Sequence, residues 1–348
     1  MAKIRVAVAG VGNCCSALVQ GVNFYSSCGE DIGLIHEKIG GYSVSDIEFV
    51  SAFDIDRRKV GKDISKAIFS QPNKTPRFRD VPKLGVSVGM GPVLDGVGSF
   101  TKDLLDVGEE KPIDVTRELE KSGAEVLINL VSGGADEASR FYAEAALKAG
   151  CAFLNATPTP IASEGMWAER FAAAGLLVAG DDLLDQVGAT VIHMGLLEFL
   201  NRRGVHVDES FQLDVGGGTE SLNTLERTRE LKRNIKTKAV ASCIPYEFPL
   251  VSGSTDYVDF LENSRDSFFW IKGRYFGGVP FTMDVRLGTV DAPNGGAVLL
   301  DVIRSLKLAS DKGMGGAIIP VSAYAFKNPP ERHSLSKAYE LFNEFVAA

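Results

Sequence analysis

The chain of 348 residues carries 37 Lys and Arg against 45 Asp and Glu, a formal net charge of -8, with 45% hydrophobic and 24% charged residues. This composition belongs to a folded chain with room for two packed domains and excludes disorder. The acidic balance gives no global reason to expect nucleic acid, so any anionic ligand must be met by a local cluster of Lys or Arg.

The first element is a β-branched run over residues 4–9 that ends at Gly10, followed by a helix over 16–22 and an insertion through 23–46. A second run over 47–52 ends at Asp54, and a third over 124–131 ends in Ser132-Gly133-Gly134. Helical periodicity follows over 137–149, then short strand-like runs at 151–154 and 176–179 and a helix over 191–201. Strands alternating with helices predict a doubly wound parallel α/β sheet of Rossmann type with right-handed crossovers. From about Val205 the grammar changes: strand-like segments at 211–215, 268–272 and 281–287 follow one another without regular helices, which predicts a second, more antiparallel layer. Residues 297–311 are helical again, and the last twenty residues form an amphipathic helix. The expected division is a dinucleotide-binding domain over 1–200, an inserted α/β catalytic and oligomerisation domain over 201–300, and a segment over 301–348 that returns to the first.

The N-terminus, Met1-Ala2-Lys3-Ile4-Arg5, is expected to run straight into a strand, so no signal peptide is expected. No run of about 18 uncharged apolar residues is present to span a bilayer, so a cytoplasmic location is expected. Five cysteines without metal-ligand spacing read as reduced thiols. His36, His193, His206 and His333 are scattered, and no metal site is expected from the side chains.

Gly10-Val11-Gly12-Asn13-Cys14-Cys15 lies between the first strand and a helix. In that setting the first glycine makes the turn, the second lets backbone approach a pyrophosphate, and the helix N-terminus supplies free N–H groups. Cys15 stands where a third glycine is usual and is small enough for close helix–strand packing. Asp54 at the tip of the second strand suits the ribose hydroxyls. Arg57 and Arg58 could attract a 2′-phosphate, but the carboxylate would repel it, so NAD is the expected cofactor. Ser132 and Gly133 are expected beside its phosphates and nicotinamide, and Asn155 completes the cofactor-binding candidates.

Lys232 and Lys236 are spaced i, i+4, which places both ammonium groups on one helix face. With Arg227, Arg229, Arg233 and Lys238 around them, a solvated basic face is the competing reading. Lys327, between an aromatic run and Pro329-Pro330, sits in a rigid and partly apolar setting where its position and proton affinity can be tuned.

Five motifs occur in order: Gly10-Val11-Gly12-Asn13-Cys14, Gly91-Pro92-Val93-Leu94-Asp95-Gly96, Gly180-Asp181-Asp182, Gln186-Val187-Gly188-Ala189-Thr190 and Val290-Asp291-Ala292-Pro293-Asn294. With them the chain resembles the prokaryotic myo-inositol-1-phosphate synthases from near residue 3 to about 332. The resemblance implies a homotetramer and an NAD-dependent carbocyclisation of a small sugar phosphate, glucose 6-phosphate, to an inositol phosphate. It also implies that Lys232, Lys236 and Lys327 are active-site lysines, and that Asp182 and Asp291 lie near cofactor and substrate. Four positions depart from the family pattern. Leu184 stands where a lysine is usual, Arg265 takes the place of a further active-site lysine, and Gly218-Thr219-Glu220 replaces Asn-x-Asp. These departures keep a second substrate in view, fructose 6-phosphate, closed to a five-membered ring by the same steps. A dehydrogenase that releases NADH and an NAD-binding regulator without turnover are the readings from other classes.

Overall fold

In β1 (Ile4–Ala9) every residue except Arg5 is buried, the pattern of a central strand covered on both faces. The computed structural model describes residues 3–29 and 31–348. Met1 and Ala2, and hence the expected strand entry, lie outside the described residues, as does the Cys28 side chain. After β1 come α1 (Asn13–Cys28), β2 (Ile47–Asp54), α2 (Ile64–Ala67), β3 (Val88–Met90), α3 (Val115–Ser122) and β4 (Val126–Asn129). The alternation continues through α4 (Asp136–Ala149), β5 (Ala152–Asn155), α5 (Gly165–Ala173) and β6 (Leu177–Ala179). Then α6 (Ala189–Arg202) leads to β7 (His206–Gly216), α7 (Thr219–Asn223), a π-helical turn (Thr224–Thr228) and α8 (Arg229–Ala241). Three strands, β8 (Leu250–Tyr257), β9 (Ser264–Arg274) and β10 (Pro280–Val290), precede α9 (Asp291–Asp311), β11 (Gly316–Ala317), α10 (Ile319–Ala325) and α11 (Leu335–Ala347).

The first sheet has seven strands in the order β11-β6-β5-β4-β1-β2-β3, all parallel. The order reverses around β1, and the crevice at that switch point is where such sheets bind ligands. Leu18 on α1 and Leu299 and Ile303 on α9 fill the core on one face; Leu119 on α3, Tyr142 on α4 and Phe171 on α5 fill it on the other. Each such buried side chain contributes about 1.5–3 kcal/mol.

The second sheet has the order β10-β9-β7-β8. It is mixed rather than antiparallel throughout: β9 runs against both neighbours, whereas β7 and β8 are parallel. The helices α7 and α8 between β7 and β8 form the crossover that parallel pairing needs. The reading of the second half as strands missed α7 and β8, while α8 was visible only through the Lys232 and Lys236 spacing. One face of this sheet packs on α6 and α8 through Leu197, Val240 and Ile271. Phe211, Leu213 and Phe268 remain exposed.

Candidate active site

At the tip of β1, Gly10 has φ +92°, and a Cβ there would lie 2.5 Å from the Leu130 carbonyl oxygen. Only glycine allows the turn to pass so close to β4. Gly12 has open space where its side chain would be, and the N-terminus of α1 carries no side-chain cap. Its free N–H groups and the positive end of the helix dipole therefore face the cavity. Asp54 is fixed at the rim: Oδ2 accepts from Val11 N–H at 2.7 Å, and Oδ1 from the Ile55 and Asp56 N–H groups at 2.8 and 2.9 Å. The buried Lys59 ammonium lies 3.5 Å from Oδ2. Arg57 and Arg58 are paired with Asp106 and Asp56 respectively. Asn13 Oδ1 accepts from the Lys74 and Thr75 N–H groups, tying the 72–75 loop to the turn.

Two cavities share Gly12, Asn13, Ser132 and Thr219. The outer one is bounded by Gly10, Phe53, Asp54, Pro92, Val93 and Tyr142. The inner one is lined by charged side chains from seven separate elements or loops. On α8, Lys232 pairs with Glu220, whose carboxylate also accepts from Gly133 N–H at 3.3 Å, and one turn later Lys236 pairs with Asp214 of β7 at 2.7 Å. From the start of β9, Arg265 reaches Asp291, the first residue of α9, at 2.6 Å. Beyond α10, Lys327 lies 3.7 Å from Asp182 and donates to the Leu183 carbonyl at 2.5 Å. Four cations thus face one cavity beside the glycine turn, each held by its own carboxylate.

The environment separates their proton affinities. Burial alone would lower Lys232, but Glu220 and Asp182 outweigh it and raise its pKa. Arg265 is raised in the same way, by Asp291 and Asp214 against burial. Lys236 is lowered: burial is the main cause, and the Arg265 and Lys327 charges add to it against Asp214. Asp182 and Asp214 are both held below the usual carboxylate range, because nearby cations exceed the cost of burial. Cys14 also lines the cavity, where burial and Asp291 push its thiol up to about 12, so it is present as the thiol.

A model of the myo-inositol-1-phosphate synthase family matches residues 188–292. The inositol-3-phosphate synthase of Mycobacterium tuberculosis (strain CDC 1551 / Oshkosh) is 42% identical over 351 residues, spanning 99% of this chain and 96% of that protein. The inositol-3-phosphate synthase of Corynebacterium glutamicum is 42% identical over 356 residues, spanning 99% and 98%. The chain belongs to the myo-inositol-1-phosphate synthase family. The crystal structure of Ari2 superposes with a TM-score of 0.79 at 31% identity, covering 99% of this chain and all of that one. The chain is accordingly an enzyme of the isomerase and carbocyclase class.

Within this family fold, Lys232, Lys236, Lys327, Arg265, Asp182 and Asp291 all line the inner cavity, together with Gly12, Asn13, Cys14, Ser132 and Gly133. Asn155 does not. It lies fully buried behind the wall, where its side chain contacts Asn129, Thr157, Thr159 and Asp181. Asp181 beside it accepts from the Ile161, Ala162 and Ser163 N–H groups and so shapes the loop that carries Thr157 and Pro158 into the cavity. Leu184 packs with Met194, Leu197 and Ile271 in the core of the second layer rather than facing the cavity. Arg229, Arg233 and Lys238 are exposed, so α8 is a solvated basic helix on one face and a site-bearing helix on the other.

Sequence reasoning missed Asp214, Asp185 and Asn263. Asn263 takes the Asp291 and Ala292 N–H groups on its carbonyl and side-chain oxygens, which fixes the start of α9. Asp214 had a readable signal: Ser210, Gln212 and Asp214 are polar residues on the buried side of a strand, and buried polar groups have partners. Among the described residues no group of His, Cys, Asp and Glu is arranged to hold a metal ion.

Proposed function

We propose that the chain is an NAD-dependent carbocyclase that converts glucose 6-phosphate to an inositol phosphate. The observation that carries this reading is the set of four cations, Lys236 and Lys327 buried and Lys232 and Arg265 partly so, around a cavity continuous with the glycine turn. The turn fits the cofactor: the uncapped α1 N-terminus and the open side of Gly12 suit a pyrophosphate, and Asp54 and the outer cavity suit the adenosine end. Bound NAD would accept a hydride from the C5 carbinol and return it at the end of the turnover.

With C5 at the ketone level the C6 protons are acidic, and the cavity supplies groups for every later charge. Lys236, whose ammonium loses its proton more readily than an ordinary lysine, takes a proton from C6. Lys327 and Arg265 face the oxyanions of the enolate and of the aldol closure on C1, in surroundings that magnify their effect. Lys232 stays charged and is assigned to the phosphate or the enolate. Asp182, Asp214 and Asp291 hold these cations in place. Lys327→Ala is expected to abolish turnover while NAD binding, followed by fluorescence titration, stays within about threefold, because the lysine lies in the inner cavity only.

A second substrate is favoured by one feature: Arg265 keeps a charge but cannot carry a proton, and Leu184 adds no charge to the cavity. The same residues could close fructose 6-phosphate to a five-membered ring. Incubation with NAD and either sugar phosphate, followed by NMR of the product ring, decides between them. A six-membered cyclitol phosphate from glucose 6-phosphate supports the first reading, and turnover of fructose 6-phosphate alone sinks it. Steady growth of the reduced-nicotinamide absorbance would instead reveal a plain dehydrogenase, and no turnover of any kind a regulator. For assembly we propose the homotetramer, with Phe211, Leu213 and Phe268 as its apolar contact, testable by light scattering.

A further inference from the structure

The inner cavity holds five carboxyl groups and four cations. Asp182, Asp214, Glu220 and Asp291 each pair with one cation. Asp185 is left over. It lies on the turn between β6 and α6, with its carboxyl packed against the Gly188 Cα, so that a Cβ on Gly188 would meet its Oδ2 at 2.6 Å. Among the described residues it has no hydrogen bond or ion pair. The charges that bear on it are Lys327, Asp291, Arg265 and Lys236, all of which line the same cavity.

A carboxyl that lines the cavity without a partner, with a second carboxyl, that of Asp291, among the groups around it, favours its neutral form. Burial is the main cause here, and with Asp291 it outweighs the opposing Lys327, Arg265 and Lys236 charges, so the Asp185 pKa is raised. A neutral carboxylic acid has an O–H to give, which Lys232, held charged by its carboxylates, and Arg265 are poorly suited to supply. We propose that Asp185 is the general acid that protonates the alkoxide formed when the carbocycle closes. This rests on the carbocyclase reading and adds the residue that completes its proton balance.

The steps balance. The C6–H bond breaks and its proton goes to neutral Lys236, leaving the enolate. The enolate carbon then forms the C6–C1 bond, and the carbonyl π pair becomes an alkoxide. The Asp185 O–H bond breaks as the new hydroxyl forms, leaving a carboxylate. Transfer of the C6 proton from the Lys236 ammonium to that carboxylate restores both groups. With fructose 6-phosphate the bond formed is C6–C2 and the proton count is the same.

The test uses Asp185→Asn and Asp185→Glu in deuterium oxide, with NAD and whichever sugar phosphate the wild type cyclises. Asp185→Asn keeps the shape but has no proton of suitable acidity, so its kcat for cyclised product should fall about a hundredfold. Recovered sugar phosphate should nevertheless gain deuterium at C6, because oxidation and enolisation precede the step that Asp185 serves. Asp185→Glu should retain product formation within about tenfold. Wild-type kcat in Asp185→Asn overturns the proposal, and so does loss of the deuterium exchange together with cyclisation while NAD affinity is kept. A wild type that cyclises neither sugar overturns the carbocyclase reading itself, and the Asp185 role with it.

Discussion

At the scale of single residues, Lys236 differs from Lys232 because burial, with the Arg265 and Lys327 charges, outweighs the Asp214 carboxylate. Lys232 sees two carboxylates and is held charged. Two lysines a single turn apart on one helix are thereby given opposite tasks, which is how one site can run base chemistry and hold anions at the same pH. The sign follows from the direction of the shift. The neutral amine of Lys236 forms at a lower pH than for an ordinary lysine, and the rate should rise with pH as the ammonium loses its proton. Lys236→Arg should remove that rise and lower kcat by about 10² or more, while NAD affinity is retained. A kcat profile of Lys236→Arg that still climbs with the wild-type midpoint would assign the base elsewhere.

At the scale of elements, the buried side of β7 joins the second layer to this chemistry. His193 of α6 lies 2.8 Å from Ser210 Oγ and 3.2 Å from Gln212 Oε1, and Gln212 Nε2 donates to both oxygens of Asp214 at 3.0 Å. Asp214 in turn holds Lys236. Burial lowers the His193 pKa from 6.5 to about 4, so the ring is neutral in the folded protein across the physiological range. An unfolded chain takes up the proton below 6.5 and the folded one only near 4. The stability that this represents is complete above pH 6.5 and is lost as the pH falls toward 4, at about 1.4 kcal/mol per unit or about 3 kcal/mol in all. Urea unfolding of His193→Gln should therefore show a smaller loss of stability between pH 7 and pH 4.5 than wild type, and an unchanged slope would remove His193 from the acid sensitivity.

The same strand marks how far the sequence can be read. Lys232 and Lys236 were legible because a helix turns spacing into a shared face, and Gly10 to Cys14 because a turn between strand and helix has few chemical solutions. Asp185 and Asn263 were not. Both lie in short connections where no period relates a residue to a direction; the N–H groups that Asn263 takes belong to the start of α9, and the cations around Asp185 come from distant segments of the chain. Asn155 was legible as polar at a strand end but not as buried behind the wall, since the loop that covers it is shaped by Asp181. The parallel pairing of β7 with β8 depends on α7 and α8 having a sheet to pack on, which local propensity does not encode.

At the scale of the whole molecule, the two sheets have to meet in register for the glycine turn and the lysine helix to face one cavity. The loop after β3 is the piece that spans them. Pro92, Val93 and Gly96 line the outer cavity. Asp95 of the same loop accepts from the Glu137 and Ala138 N–H groups at 2.8 and 3.0 Å, anchoring it to the start of α4. A few residues on, Ser99 and Phe100 donate their N–H groups to Glu226 of the π-helical turn that leads into α8, and the Ser99 hydroxyl joins them. Glu226 is therefore the clasp between the wall of the outer cavity and the helix that carries Lys232 and Lys236. Its carboxylate is solvated, so its loss should leave folding largely intact. What it should change is coupling: with the clasp open, closing the outer cavity around a ligand no longer fixes α8. Glu226→Ala is expected to weaken NAD binding about fivefold and to lower kcat together with it, whereas a variant confined to the inner cavity such as Lys327→Ala lowers kcat alone. Titration of NAD against Glu226→Ala, set beside its turnover number, separates the two. An unchanged NAD affinity would mean that the loop is held by Asp95 and that the two layers meet without the clasp.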